Sequence, residues 1–108
     1  MTNASLEATA HTDGPRARIE LRGDIDGAAR EALAAAYDAS AAARELLLDF
    51  TAVDYINSTG IALIVGLLAR ARADARVISA SGLSAHYREI FEITRLSDFM
   101  TILDDREN

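Results

Sequence analysis

The sequence has no cysteine, no tryptophan, a single proline and no lysine, all eleven of its basic residues being arginine. Without cysteine, a disulfide scaffold and a zinc–thiolate site are excluded. No apolar run approaches the roughly 18 to 20 residues that a membrane span needs, so no membrane insertion is expected. The opening Met1-Thr2-Asn3-Ala4-Ser5-Leu6-Glu7 has neither the basic start nor the apolar core of a secretory signal. The compartment expected from this is the cytoplasm. Positive charge is also short: seventeen acids against eleven bases leave a net charge of -6, which argues against nucleic acid as a partner. What is present is 108 residues, half of them apolar, enough for one domain with one core. Repeats and linkers are absent, and residues 1–4 and 104–108 are expected to fray.

One stretch organises the rest. Leu46-Leu47-Leu48-Asp49-Phe50 is an apolar run too continuous for an edge strand, and it reads as a central strand buried on both faces. A short polar loop follows and closes on Asn57-Ser58-Thr59-Gly60, after which Ile61 to Ala71 is largely apolar. Ile61, Ile64, Val65, Leu68 and Ala71 recur at helical spacing and predict an apolar stripe on one face. Asn57 is suited to cap this helix, with Ser58 and Thr59 in its first turn. Free backbone N–H groups and the positive end of the helix dipole lie there, and a phosphate would be stabilised by both.

Around this centre, Ser5 to His11 alternates weakly, Asp13-Gly14-Pro15 signals a turn, and Ala17 to Arg22 alternates with Ile19 and Leu21 inward. The pair predicts a hairpin, and Gly23 to Gly27 reads as a break. Asp26 is placed to cap an alanine-rich helix running to about Ala43, with Leu33 and Tyr37 inward. Ala75 to Ala80 predicts a strand parallel to the central one, joined by a right-handed crossover. Ser84 to Glu92 predicts a third helix with Tyr87, Ile90 and Phe91 on one face. A turn over Ile93 to Leu96 and a last strand over Phe99 to Leu103 complete an α/β layer structure with a mixed sheet of about five strands. Its expected core includes Ile61, Ile64, Leu68, Val77 and Ile78.

The residues do not assemble an enzyme. The carboxylates are scattered, and Asp24 and Asp26, although able in principle to hold Mg²⁺, are more often caps or solvated loop acids. His11 and His86 share no ligand spacing. Gly60, Gly66 and Gly82 form neither a Walker nor a dinucleotide pattern, and nothing supplies a base to activate Ser58 as a nucleophile. No cofactor, nucleotide or metal is expected on this chain. A well-capped helix start would account for Asn57-Ser58-Thr59-Gly60 without any function. It would not account for the hydroxyl pair beside the apolar, Tyr55-bearing loop.

The segment Leu48 to Gly60 resembles the signature of the STAS domain, specifically that of the anti-sigma factor antagonists of bacterial partner-switching systems. Leu21-Arg22-Gly23-Asp24-Ile25-Asp26 is similar to the family's acidic loop, and Ser81 to Leu96 to its third helix and following turn. The resemblance implies a STAS-like fold over roughly residues 16 to 103, with the family's final helix short or missing. It implies capture of an anti-sigma factor that is also a serine kinase of the histidine-kinase-like ATPase class, with ATP and Mg²⁺ belonging to the kinase. It places the phosphoacceptor at Ser58, the partner-binding surface on Asp24, Asp26, Tyr55, Asn57, Thr59 and Gly60, and the reset with a PP2C-type phosphatase. The family's usual aspartate before the serine is Asn57 here, which keeps the cap and removes a charge. The alternative is a STAS scaffold that is never phosphorylated, within a membrane-transport or sensory complex.

Overall fold

In the computed structural model, which describes residues 6–103, the chain opens with the expected hairpin. Strand β1 (Glu7–Asp13) runs antiparallel to β2 (Arg16–Ile25), with Asp13 opposite Arg16 and Gly14 turning the chain at φ 62°. Along β2 the alternation holds: Ala17, Ile19 and Leu21 are buried, while Arg18 and Glu20 lie on the other face. A 3-10 turn over Gly27–Ala29 leads into α1 (Arg30–Ala39), and Asp26 caps that turn by accepting from the Ala28 amide at 3.0 Å. The remaining elements are β3 (Glu45–Ile56), α2 (Ser58–Ala73), β4 (Val77–Ser81), α3 (Ala85–Ile93) and β5 (Thr101–Ile102). The five strands form one mixed sheet in the order β1-β2-β3-β4-β5, packed by three helices, with every pair after the first parallel. The ends expected to fray, residues 1–4 and 104–108, lie outside the described residues.

Strand β3 is central, as expected, but its burial is one-sided. Leu46, Leu48 and Phe50 are buried beneath the helices, and Leu47 and Asp49 are half-buried on the opposite face. There Asp49 meets Arg18 at 3.3 Å and takes the Thr51 hydroxyl and amide at 2.6 and 3.0 Å. Burial of Asp49 opposes its charge, but the two Thr51 bonds and the Arg18 guanidinium prevail and hold its pKa below the usual carboxylate value. The polar loop expected after Phe50 is instead more strand. Residues 51–56 stay paired to the end of β2, which likewise continues through the expected break at Gly23. Two register shifts, around Glu20/Arg22 and Gly23/Asp24, carry the bulges, and Gly23 takes φ 106°.

Other expectations need adjustment. Val77 is 60% exposed, because β4 alternates and turns Ile78 and Ala80 inward. On α2 the buried face is Gly60, Ile64, Leu67, Leu68 and Ala71, leaving Ile61 half-buried and Val65 exposed. The last strand is Thr101–Ile102, two residues rather than the five expected over Phe99 to Leu103, and a 3-10 turn over Leu96–Asp98 precedes it.

The alanine-rich helix stops at Ala39, short of Ala43, where the Ser40 hydroxyl bonds back to the Ala36 and Tyr37 carbonyls, each at 3.0 Å. Arg76 is buried and reaches across from the start of β4 to the carbonyls of the turn that follows the helix. Its Nε donates to the Ala43 carbonyl at 2.7 Å, its Nη2 to the Ser40 carbonyl, and its guanidinium sits 4.3 Å from the centroid of the Tyr37 ring. The Tyr37 hydroxyl donates to Asp74 at 2.6 Å, and burial together with that bond pushes its pKa up. These contacts tie α1, the end of α2 and β4 together at one end of the sheet. At the other end, Phe91 of α3 packs edge-on to Phe50 with centroids 5.8 Å apart.

Candidate functional site

The extended β2–β3 ladder builds the site. It pairs Asp24 with Tyr55 and Ile25 with Ile56, so the acidic turn and the segment before α2 leave the sheet side by side. The Asn57 amide then donates to the Ile25 carbonyl at 3.2 Å, fixing where α2 starts. Asn57 has extended backbone angles, and its Oδ1 accepts from the Gly60 amide at 2.8 Å, the N-cap expected of it. Ser58 and Thr59 are exposed in the first turn, where two backbone N–H groups besides the capped one remain at the helix opening.

Gly60 has a reason that the sequence conceals. A Cβ there would lie 1.9 Å from the carbonyl oxygen of Ile25 and 2.7 Å from its carbonyl carbon. Only glycine lets α2 approach the end of β2 this closely. Thr59 is carried against Gly27, its Cγ2 standing 3.6 Å from where a Cβ on that glycine would be. The first turn of α2 thus abuts the Asp24–Gly27 segment.

The sequence-predicted residues fall into two groups. Tyr55 (54% exposed), Ser58 and Thr59 are open to solvent, and Asp24 and Asp26 are half-buried beside them. Asn57 and Gly60 have structural tasks, the first as side-chain cap and the second as the close-approach point. Asp26 also has a structural task as the cap of the following turn. Sequence reasoning missed Tyr87, whose hydroxyl accepts from the Ile56 amide at 2.9 Å. Pairing of β3 with β4 ends at Asp49 and Ser81, and beyond it α3 stands where a strand would have been. Tyr87 was legible as an inward residue of α3, but a bond across 31 positions was not. Between Val53, Asp54, Ile56, Leu83 and Tyr87 lies a cavity of about 170 Å³. Among the described residues no three His, Asp or Glu side chains gather as a metal site, and no helix is long and apolar enough to cross a membrane.

The sequence model of a family described as "Mlab, STAS domain" matches residues 8–104, nearly the whole chain. The chain belongs to the STAS domain family. STAS domains are non-catalytic scaffold or regulatory modules, and this one is not an enzyme. No curated protein sequence matches it. Among solved structures, this STAS domain is similar to the anti-sigma factor antagonist SpoIIAA in its unphosphorylated form, with a TM-score of 0.70, 18% identity, and coverage of 93% of this chain and 88% of that one. It is similar to the Bacillus cell fate determinant SpoIIAA in the phosphorylated form, with a TM-score of 0.68, 20% identity, and coverage of 95% of both chains. An anti-sigma factor antagonist from Mycobacterium paratuberculosis gives a TM-score of 0.74 at 18% identity, covering 91% and 85% respectively. At these identities the likeness establishes a shared fold.

Proposed function

We propose that this STAS domain is an anti-sigma factor antagonist. It captures an anti-sigma factor serine kinase of the histidine-kinase-like ATPase class while Ser58 is unmodified, and releases it once Ser58 is phosphorylated. A PP2C-type phosphatase resets the switch, and all of these partners meet in the cytoplasm. The observation that carries the reading is an exposed serine in the first turn of α2, packed by Gly60 against the Asp24–Gly27 segment. The capture surface is Asp24, Asp26, Tyr55, Asn57, Thr59 and Gly60 around that serine. It is supported by the fold shared with SpoIIAA, which is itself described in unphosphorylated and phosphorylated forms.

The physical chemistry of the switch follows from the position. A phosphate adds about -1.5 to -2 charges. At the start of α2 the dipole and the free N–H groups stabilise it by ~0.3 to 1 kcal/mol, so the fold survives modification. In a packed interface beside Asp24 and Asp26 the same dianion is repelled and loses its hydration, which weakens capture. Ser58→Ala is therefore expected to bind the kinase permanently, and Ser58→Asp to bind it weakly. The test incubates the chain with the kinase and ATP, maps the modified residue by mass spectrometry, and measures affinity before and after. Phosphate on Thr59 alone would move the site by one residue.

A second reading is favoured by the description of the matching family, which names Mlab, and by Asn57 standing where the antagonists carry an aspartate. In that reading the domain is a constitutive scaffold in a membrane-transport or sensory complex. Its affinity would then ignore Ser58, and Ser58→Asp would bind like the wild type.

A further inference from the structure

Away from Ser58, a groove runs along the second half of α2. Val65, Leu68 and Ala69 form one wall, and Leu96 and Phe99, on the segment between α3 and β5, form the other. It consists of two adjoining cavities of about 260 and 430 Å³ that share Leu68, Arg72 and Phe99. Two large apolar side chains on its walls lie open to solvent, Val65 at 46% and Phe99 at 56%. Its charged lining is three arginines, Arg72, Arg76 and Arg95, against one aspartate, Asp98. Arg72 lies over the Phe99 ring at 5.9 Å and pairs with no carboxylate among the described residues, and Arg95 borders the smaller cavity. Asp98, which borders the larger one, is already held by Arg95 at 2.8 Å. A chain of net charge -6 thus presents a locally basic, apolar groove.

We propose that this groove docks an amphipathic helix of a second protein, one whose apolar ridge is flanked by carboxylates. The shape argument rests on α2. Val65, Leu68, Ala69 and Arg72 are one ridge of a helix about 10 Å long, and small Ala69 beside Val65 leaves a hollow for an incoming side chain. Such a wall, facing a second apolar wall, takes a helix as its counterpart. The charge argument selects its flanks, because glutamate or aspartate beside the ridge meets Arg72, which has no carboxylate partner among the described residues. A second copy of this chain is disfavoured, since a two-fold contact would set the arginine rim against itself. Arg72 lies roughly 20 Å along α2 from Ser58, so the groove's occupant and the partner at Ser58 use opposite ends of the same helix.

The test titrates a designed amphipathic peptide with glutamate flanks, and its lysine-flanked counterpart, into the ¹⁵N-labelled full-length chain. The glutamate peptide is expected to shift the amide resonances of Val65, Ala69, Arg72 and Phe99 and to leave Ser58 and Thr59 in place. It should bind roughly fivefold tighter than the lysine peptide, the scale of a few exposed charge pairs. Arg72→Glu should reverse that preference, and Val65→Asp should abolish binding. Both positions are exposed, and unchanged circular dichroism verifies that the variants fold. Equal affinity for the two peptides, shifts confined to other surfaces, or no binding by either would overturn the proposal. So would a concentration-dependent dimer that Val65→Asp dissolves, which would make a second copy the occupant.

Discussion

Replacing glycine by alanine at two places in α2 should move stability in opposite directions. At Gly66 an added Cβ meets nothing within 4 Å, and the residue is exposed in mid-helix. There the substitution removes backbone entropy from the unfolded chain and should stabilise by ~0.5 to 1 kcal/mol. At Gly60 the same helical gain is available, but the Cβ would stand 1.9 Å from the Ile25 carbonyl oxygen, whereas such contacts essentially never fall below 3.0 Å. The start of α2 or the end of β2 must therefore move by more than an ångström. Both obstructing atoms are backbone, held in the β2–β3 ladder and by the Asn57 amide, so no rotamer change relieves the clash. Overpacking of this kind costs about 1 to 3 kcal/mol or more, which outweighs the helical gain. Near a hundred residues, about 1 kcal/mol corresponds to a shift of roughly 4 to 8 °C in Tm. Gly66→Ala should then melt a few degrees above the wild type and Gly60→Ala about ten degrees below it. Urea unfolding with unchanged m-values would establish that stability, and not compactness, has changed. If Gly60→Ala were as stable as the wild type, or if both variants shifted the same way, the close approach of α2 to Ile25 would be wrong.

Three further outcomes are expected. Ala75 closes α2 in the left-handed region at φ 59°, with Arg76 N bonded to Ala71 O at 2.8 Å and Ala75 N to Arg72 O at 3.2 Å; Ala75→Gly should raise stability by about 0.5 to 1 kcal/mol in thermal melts, and a lowered Tm would contradict the motif. Tyr87→Phe removes the acceptor of the Ile56 amide. It should cost about 1 to 2 kcal/mol and speed hydrogen exchange at Ile56 above other β3 amides, with unaltered exchange there as the refuting result. The Asp49 pKa is lowered on folding, so its contribution is present above the usual value of 3.8 and is lost as pH falls through the folded value. The stability gap between the wild type and Asp49→Asn should be constant near neutrality and shrink in acid; a gap unchanged down to pH 3 would mean that the Thr51 and Arg18 contacts do not favour the charge.

Much of this molecule is determined locally. Alternation over residues 17–22 and the Gly14-Pro15 turn make the hairpin, because strand period and turn chemistry are read within a few residues. Asn57 and Ser84 start their helices for the same reason, a side-chain oxygen reaching an amide three positions on. The parallel neighbours β3 and β4 follow from one intervening helix and the handedness of crossovers. Tertiary structure decided the rest. Residues 51–56 look like a loop by composition, and become strand because the bulged end of β2 satisfies their backbone groups. Val77 and Val65 look like core, and face outward because the phase of β4 and the tilt of α2 are set by the sheet beneath them. The turn after the alanine helix is held by the buried Arg76, a residue far along the chain that donates to the Ser40 and Ala43 carbonyls. Within the candidate site, the cap and the hydroxyl pair were visible in one line of sequence. That Gly60 must be glycine was not, since the atom forbidding a side chain belongs to Ile25, far away along the chain. Propensity and capping energies depend on neighbours within a helical turn, whereas pairing and steric exclusion depend on segments that meet only when the chain has folded.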